Sequence, residues 1–142
     1  MRLLLIPFMF LVVTACSTRG GQPAVASSCA FEQVWDTSIA ALEGLRLESA
    51  DKAKGVLETD WTEAGASSRA GILQRDVNKE RFKYIIALHP HNAGAGASVQ
   101  QLREQWSPMG ARMRQWRAMP ATPSEETALA AEISRRLKDK GC

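Results

Sequence analysis

The sequence has few of the residues that mark specialised structural classes. Its 142 residues include three cysteines, two histidines and only 6% aromatic residues. Three cysteines are too few for a disulfide-rich mini-protein, and no apolar run reaches the roughly 20 residues that a membrane-spanning helix needs. The net charge of +3 is too small to indicate nucleic-acid binding by itself. The composition is that of one ordinary globular domain.

The first sixteen residues indicate export. Met1-Arg2 is a short basic start, and an apolar run follows from Leu3 to Val13. This pattern is typical of a secretory signal peptide. Val13-Thr14-Ala15-Cys16 resembles the lipobox of bacterial lipoproteins, in which small residues precede the cysteine. The alternative is an ordinary signal peptide cleaved near Ala15.

The lipobox resemblance implies that the chain is cut before Cys16 and that the thiol of Cys16 is acylated. Several acyl chains on one residue anchor a protein stably, because each buried methylene adds about 0.8 kcal/mol. Ser17 follows the cysteine, where retention in the inner membrane would call for Asp. We therefore expect a lipid anchor at the periplasmic face of an outer membrane.

Composition divides the chain into three parts. Residues 1–15 are predicted to be the lipoprotein signal peptide. Residues 16–28 are predicted to be the lipidated cysteine and a flexible tether, because they are small and polar and include Gly and Pro. Residues 29–142 are predicted to form one globular domain.

Hydrophobic periodicity predicts a helix at each end of this domain. Apolar residues recur at helical spacing over 31–46, with Ser27 or Ser28 as the expected N-cap. A second helix is expected after Thr122-Pro123-Ser124-Glu125, which fits a capping box. Segments of alternating hydrophobicity between the helices predict strands at 45–50, 56–62, 80–89, 98–106 and 116–119. Loops are expected at 63–71, 89–96 and 107–115. The order indicates an α+β fold, with a curved antiparallel sheet of about four to six strands that carries both helices on one face.

Two cysteines remain if Cys16 is lipidated. Exported cysteines are often paired. If the two helices lie antiparallel, the start of the first, at Cys29, neighbours the end of the last, at Cys142. A Cys29–Cys142 disulfide would then join the ends of the domain, and the alternative is two free thiols.

The residues that could carry chemistry are sparse. His89 and His91 form the only histidine pair, and no third ligand has suitable spacing, so an exposed loop is favoured over a metal site. Glu58 and Asp60 alternate on one strand face, where their carboxylates would lie about 6–7 Å apart. That spacing would suit a hydrolytic acid pair, but a solvated strand face is the more frequent arrangement. We therefore predict no catalytic residue, metal or cofactor.

A stretch near residue 115 has the composition of an interface. Mixtures of Arg, Met and Trp are enriched where proteins bind each other, and they also suit anionic lipid headgroups. The alternative is that the apolar side chains are core residues and the arginines their solvated flank. The residues predicted to bind a partner are Arg112, Met113, Arg114, Trp116 and Arg117.

The globular part also resembles the domain repeated in the BamC family, lipoproteins of the outer-membrane β-barrel assembly machine. Val34-Trp35-Asp36 resembles the opening helix, and the segment 50–61 resembles the strand, the turn with Asp and Gly, and the strand that ends in Trp. Arg81-Phe82-Lys83-Tyr84 and the closing helix at 124–140 complete the likeness.

The BamC resemblance implies a helix-grip fold and a binding or scaffolding role without catalytic residues. The function predicted from the sequence is therefore that of an outer-membrane lipoprotein that binds another envelope protein during assembly, with no nucleic-acid partner. The alternatives are an accessory lipoprotein of a secretion or pilus complex, and a periplasmic domain that binds a lipid or another ligand.

Overall fold

The computed structural model describes residues 24–64, 79–107 and 115–142. These residues form an open antiparallel sheet of seven strands with two helices, so the α+β prediction is confirmed. The strand count exceeds the predicted four to six. The elements in chain order are β1 (Ala24–Ser27), α1 (Phe31–Ala41), β2 (Leu47–Asp51), β3 (Val56–Thr59), β4 (Thr62–Ala64), β5 (Glu80–His91), β6 (Gly94–Ser107), β7 (Gln115–Met119) and α2 (Pro123–Asp139).

The long hairpin of β5 and β6 is the centre of the sheet. Its register runs without a break from Glu80 opposite Gln105 to His91 opposite Gly94. On the other side of β5 lie β3 and, further along, β4, while β2 pairs with β3. On the other side of β6 lie β1 and β7. Both central strands thus have a strand partner on each side over half or more of their length.

Alternation along the strands directs every second side chain to the helices. Leu57 of β3, Ile86 of β5 and Val99 of β6 are fully buried on this face. Helix α1 contributes Val34 and α2 contributes Ile133, both also at 0% exposure. One face of the sheet therefore carries the core, and the space between helices and sheet is filled by side chains.

The two helices lie antiparallel on that face. Arg136 of α2 donates from Nη1 to the carbonyl oxygen of Ala40 at 2.9 Å. One turn later, Lys140 donates from Nζ to Oγ1 of Thr37 at 2.8 Å. As α2 advances, its partners on α1 move back toward the start of α1, which brings the two chain positions predicted to pair close together.

The predicted tether 16–28 is wrong at its C-terminal end. Ala24–Ser27 is strand β1, which pairs with Ala95–Ser98 of β6. Val25 is only 5% exposed and belongs to the core. Small polar composition suggested flexibility, but Val25 fills the core while its small neighbours pair with an equally small-residue segment of β6.

The boundaries of the first helix also differ from the prediction. Helix α1 ends at Ala41, not near residue 46, and Gly44 follows in a left-handed conformation with φ of +89°. Its N-cap is Ala30, whose backbone N–H donates to Oε1 of Gln33 at 3.2 Å. Ser27, expected as a cap, instead accepts from the backbone N–H of Cys29 at 3.1 Å.

The loop predicted at 89–96 is a tight turn between two strands. Strand β5 continues through Pro90 to His91, and β6 begins at Gly94. The backbone N–H of Leu88 points to the β3 side of β5, where it donates to the carbonyl oxygen of Gly55. The nitrogen of Pro90, two residues later, points to the same side, but the pairing with β3 has already ended at Ala87. A strand edge without a neighbour tolerates proline because no N–H is needed there.

The remaining sequence predictions on secondary structure are met in part. Strands are present at the other predicted segments, as β2, β3, β5, β6 and β7. Most of the loops predicted at 63–71 and 107–115 lies outside the described residues. Within the described ranges, no helix is both long enough and apolar enough to cross a membrane.

Candidate functional site

The sheet face turned away from the helices is the candidate site, and we call it the open face. The register places Arg81 opposite Glu104 and Trp106 opposite Trp116 on this face. Most of its side chains are half-buried, so they contact both solvent and neighbouring side chains. The open face consists of Trp61, Arg81, Lys83, Ile85, Gln100, Leu102, Glu104, Trp106, Trp116 and Ala118.

Arg81 is the centre of an aromatic cluster on the open face. Its Cζ lies 4.4 Å from the ring centroid of Trp61 and 4.1 Å from that of Trp116. Trp106 meets Trp116 edge to face, with centroids 5.5 Å apart. Cation–π contacts of this kind stabilise by about 0.5–1 kcal/mol at exposed sites and by more when desolvated. The tryptophans are therefore held in fixed positions by a cation between them.

The charges on the open face are paired within the domain. Nε of Arg81 donates to Oε2 of Glu104 at 2.8 Å. Lys83 pairs with Glu58, whose hydrogen bond raises the pKa of Lys83. Lys83 also lies 3.6 Å from a carboxylate oxygen of Glu48, so both cations of this part of the face are neutralised by acids of the domain.

The two acids considered as a hydrolytic pair each bind a different cation. Glu58 pairs with Lys83, and Asp60 pairs with Arg46. The pKa of Asp60 is lowered, most of all by the hydrogen bond that it accepts from Arg46 and next by the one from the backbone N–H of Trp61. A carboxylate with a lowered pKa is ionised at neutral pH and is poorly suited to act as a general acid. The geometry is that of two ion pairs.

The histidine pair lies at the end of the central hairpin. His89 and His91 are both exposed, and Nδ1 of His91 accepts a hydrogen bond from the backbone of Ala93 at 3.3 Å. Within residues 24–64, 79–107 and 115–142, no three His, Cys, Asp or Glu side chains come together as a metal-binding group.

Strand β7 divides the set predicted to bind a partner. Trp116 lies on the open face, opposite Trp106. Arg117 pairs with Gln105, so it belongs to the other face of the sheet, and it is exposed. Arg112, Met113 and Arg114 lie outside the described residues. The sequence pattern missed Trp61, Arg81 and Trp106, which meet Trp116 only through the register of the strands.

A buried polar cluster joins the start of α2 to β6. The backbone N–H of Gln101, in the part of β6 between its pairings with β1 and β7, donates to Oε1 of Glu126 at 2.7 Å. Oε1 of Gln101 accepts from the backbone N–H of Thr122 at 3.0 Å. Thr122 is the N-cap of α2, but its Oγ1 accepts from Arg103 at 2.8 Å and not from the helix. The cluster therefore gives the backbone N–H of Gln101 a hydrogen-bond acceptor where β6 has neither β1 nor β7 beside it, and it holds α2 against the sheet.

Cys29 and Cys142 form a disulfide in the structure, with Cα atoms 5.3 Å apart. Cys29 is 2% exposed and packs in the core at the start of α1. The bond joins the beginning of α1 to the end of the described chain, as the antiparallel arrangement of the helices allows.

No protein-family model matches the chain, and no curated protein matches it significantly.

Proposed function

We propose that the protein is a non-catalytic outer-membrane lipoprotein, anchored through Cys16, that serves as a binding or scaffold subunit in the assembly of envelope proteins. The observation that carries the proposal is the cysteine pattern. Cys29 and Cys142 are paired, which leaves Cys16 alone in its lipobox-like sequence. Structural disulfides are typical of exported proteins. The paired cysteines and the signal-like start thus support the same compartment.

The interior of the domain favours a binding surface over a ligand-binding cavity. Ile133 of α2, Leu57 of β3 and Ile86 of β5 are each at 0% exposure between the helices and the sheet. A helix-grip domain that held a lipid would need room in this space. The chemistry that the domain offers to a partner therefore lies on its surface.

The side of strand β7 that carries Arg117 is the proposed contact with the partner protein. Arg117 is exposed on the face opposite Trp116, and arginine is enriched in interface hot spots. Arg112, Met113 and Arg114 precede this strand and complete the proposed set. Partners from the β-barrel assembly machine would support the BamC-like role.

The test is crosslinking of the native protein in its own envelope, with labelled palmitate to report acylation. A photo-reactive residue replaces Arg117, and a matched control replaces Ala128, which is exposed on α2. We expect label incorporation that Cys16→Ser abolishes, and a barrel-assembly protein captured from position 117 in excess over position 128. Capture of a secretion or pilus component would move the scaffold role to that machine. No label, or equal capture from both positions, would contradict the proposal.

A further inference from the structure

Three of the four tryptophans lie on the open face, although the core is on the other side of the sheet. Trp35 is 5% exposed and belongs to the core, whereas Trp61, Trp106 and Trp116 are half-buried and lie outside it. Ile85 and Leu102 extend the apolar area between them. An apolar area of this kind on a domain surface is typical of a site that another surface covers.

The exposed residues of the two helices are mostly polar. The exposed residues of α1 include Glu32, Gln33 and Asp36, and those of α2 include Arg135 and Lys138. These side chains are polar and suit water. If the domain rests against an apolar–polar boundary, the open face is the side that fits.

The charges of the open face restrict what can cover it. Arg81 is committed to Glu104 and two tryptophan rings, and Lys83 is committed to Glu58. A strongly charged partner would have to break these pairs, which a neutral or zwitterionic surface leaves intact. Tryptophan is also the side chain most characteristic of the boundary between lipid and water.

The position of the anchor brings this face near a membrane. Eight peptide links separate Cys16 from Ala24, and they span at most about 29 Å when fully extended. Strand β6, with 14 residues, is about 48 Å long at roughly 3.4 Å per residue, so the domain is held within its own length of the anchor. Ala24 pairs with Ser98, and because Val25 and Ala97 face the core, Ala24 and Ser98 face the open side.

We propose that the open face lies on the headgroup layer of the membrane that holds the lipid anchor, with Trp106 and Trp116 at the lipid–water interface. This inference rests on the proposed anchoring through Cys16. Arg117, on the opposite face of β7, then remains accessible to a protein partner. The domain would present its partner-binding edge in a fixed orientation to the membrane.

The test uses the full-length protein, purified from its native envelope and reconstituted into phosphatidylcholine vesicles. One set of vesicles carries bromine near the top of the acyl chains, where it quenches tryptophan fluorescence on contact. We expect emission to fall in brominated vesicles relative to unbrominated ones. The variant Trp106→Phe/Trp116→Phe should lose most of this quenching, and Trp35→Phe, which removes the core tryptophan, should retain it.

The outcomes separate this inference from the proposed function. If the protein floats with the vesicles but bromine leaves its emission unchanged, the anchor stands and membrane contact by the open face is wrong. If the protein does not float, the anchor is wrong and the inference falls with it. The unsubstituted protein decides between these results, so a folding defect in the double variant cannot obscure them. A protein crosslinked from Ala118 on the open face in the native envelope would also overturn the inference, in favour of a protein partner.

Discussion

Ile85 and Ile86 are neighbours in the chain but lie on opposite faces of the sheet. Ile86 is at 0% exposure beneath the helices, whereas Ile85 is half-buried on the open face. The same strand thus supplies the core with one side chain and the surface with the next. The core face holds the fold together, whereas the open face leaves part of its apolar area exposed to solvent.

The disulfide is expected to give the largest effect, because it ties the two helices of the core face together. Chain-entropy arguments give about 4–5 kcal/mol for a loop of this length, and measured losses fall at about 2–5 kcal/mol. Cys29→Ser/Cys142→Ser should lower the free energy of unfolding by about 4 kcal/mol, measured by urea denaturation. Reduction of the unsubstituted protein should give a similar loss, and an unchanged unfolding midpoint would contradict this role.

The two isoleucines allow a direct comparison of the faces. Ile86→Ala leaves a cavity in a packed core, and such substitutions cost about 2–5 kcal/mol, so we expect about 3 kcal/mol. Ile85→Ala removes the same atoms from a half-exposed position and should cost about 1 kcal/mol. Urea denaturation of both variants measures the difference. Equal losses would mean that the open face is packed in solution as the core face is.

The polar cluster at the start of α2 should be the next most sensitive. Glu126→Ala leaves the buried backbone N–H of Gln101 without an acceptor, which costs about 1–3 kcal/mol. Glu126→Gln keeps an acceptor oxygen and is the matched control. Thermal unfolding should show a clear loss for the alanine variant and a smaller one for the glutamine variant. Equal losses in the two variants would show that the charge matters more than the hydrogen bond.

Arg81→Ala tests the open face itself. The substitution removes a cation from between two tryptophan rings and should cost about 1 kcal/mol. It should also shift the tryptophan emission maximum, because Trp61 and Trp116 lose their shared neighbour. Arg46→Ala is a suitable control: Arg46 is also ion-paired, but its side chain is 83% exposed, and exposed pairs contribute little. A larger loss at Arg46 would contradict the assigned role of Arg81.

The smallest effect is expected from pH. Arg135 and Arg136 donate to Glu132 on the exposed side of α2 and lower its pKa from 4.5 to about 2. Because the folded protein favours the ionised form, this stabilisation is full above about pH 4.5 and is lost as the pH falls toward 2. The unfolding temperature should therefore decline over that range, and Glu132→Gln should decline less. Identical pH profiles would remove Glu132 from the explanation.

The sequence was most informative where one local rule decided the structure. The periodicity over 129–137 and the Thr122-Pro123 start correctly placed α2, and alternation correctly placed β5. It was misleading where a tertiary partner overrides composition. Ala24–Ser27 is a strand because β6 pairs with it, and Pro90 is tolerated because its nitrogen faces the side of β5 on which the pairing with β3 has ended.

The candidate site was only partly predictable, for a physical reason. Trp116 stood out by its arginine-rich surroundings, but Trp61, Arg81 and Trp106 are far from it in the sequence. Arg81, Trp106 and Trp116 meet because β5, β6 and β7 pair in one particular register, and a shift of a strand by one residue would move its side chain to the other face. Trp61 lies between β3 and β4, and β4 pairs with β5 beside Arg81. Nothing in the local pattern of any one strand fixes that register.

The disulfide also determines how the domain would bear a mechanical load. The bond closes a covalent ring from Cys29 to Cys142, and β1 is the one described element outside it. A pull on the chain ahead of Ala24 acts first on the four residue pairs between β1 and β6. Detachment of β1 would release the chain from Ala24 to Cys29, a length of about 17 Å at roughly 3.4 Å per residue. The force then reaches Cys29, where the disulfide divides it between α1 and the end of α2. The elements between Cys29 and Cys142 therefore stay folded after β1 has detached.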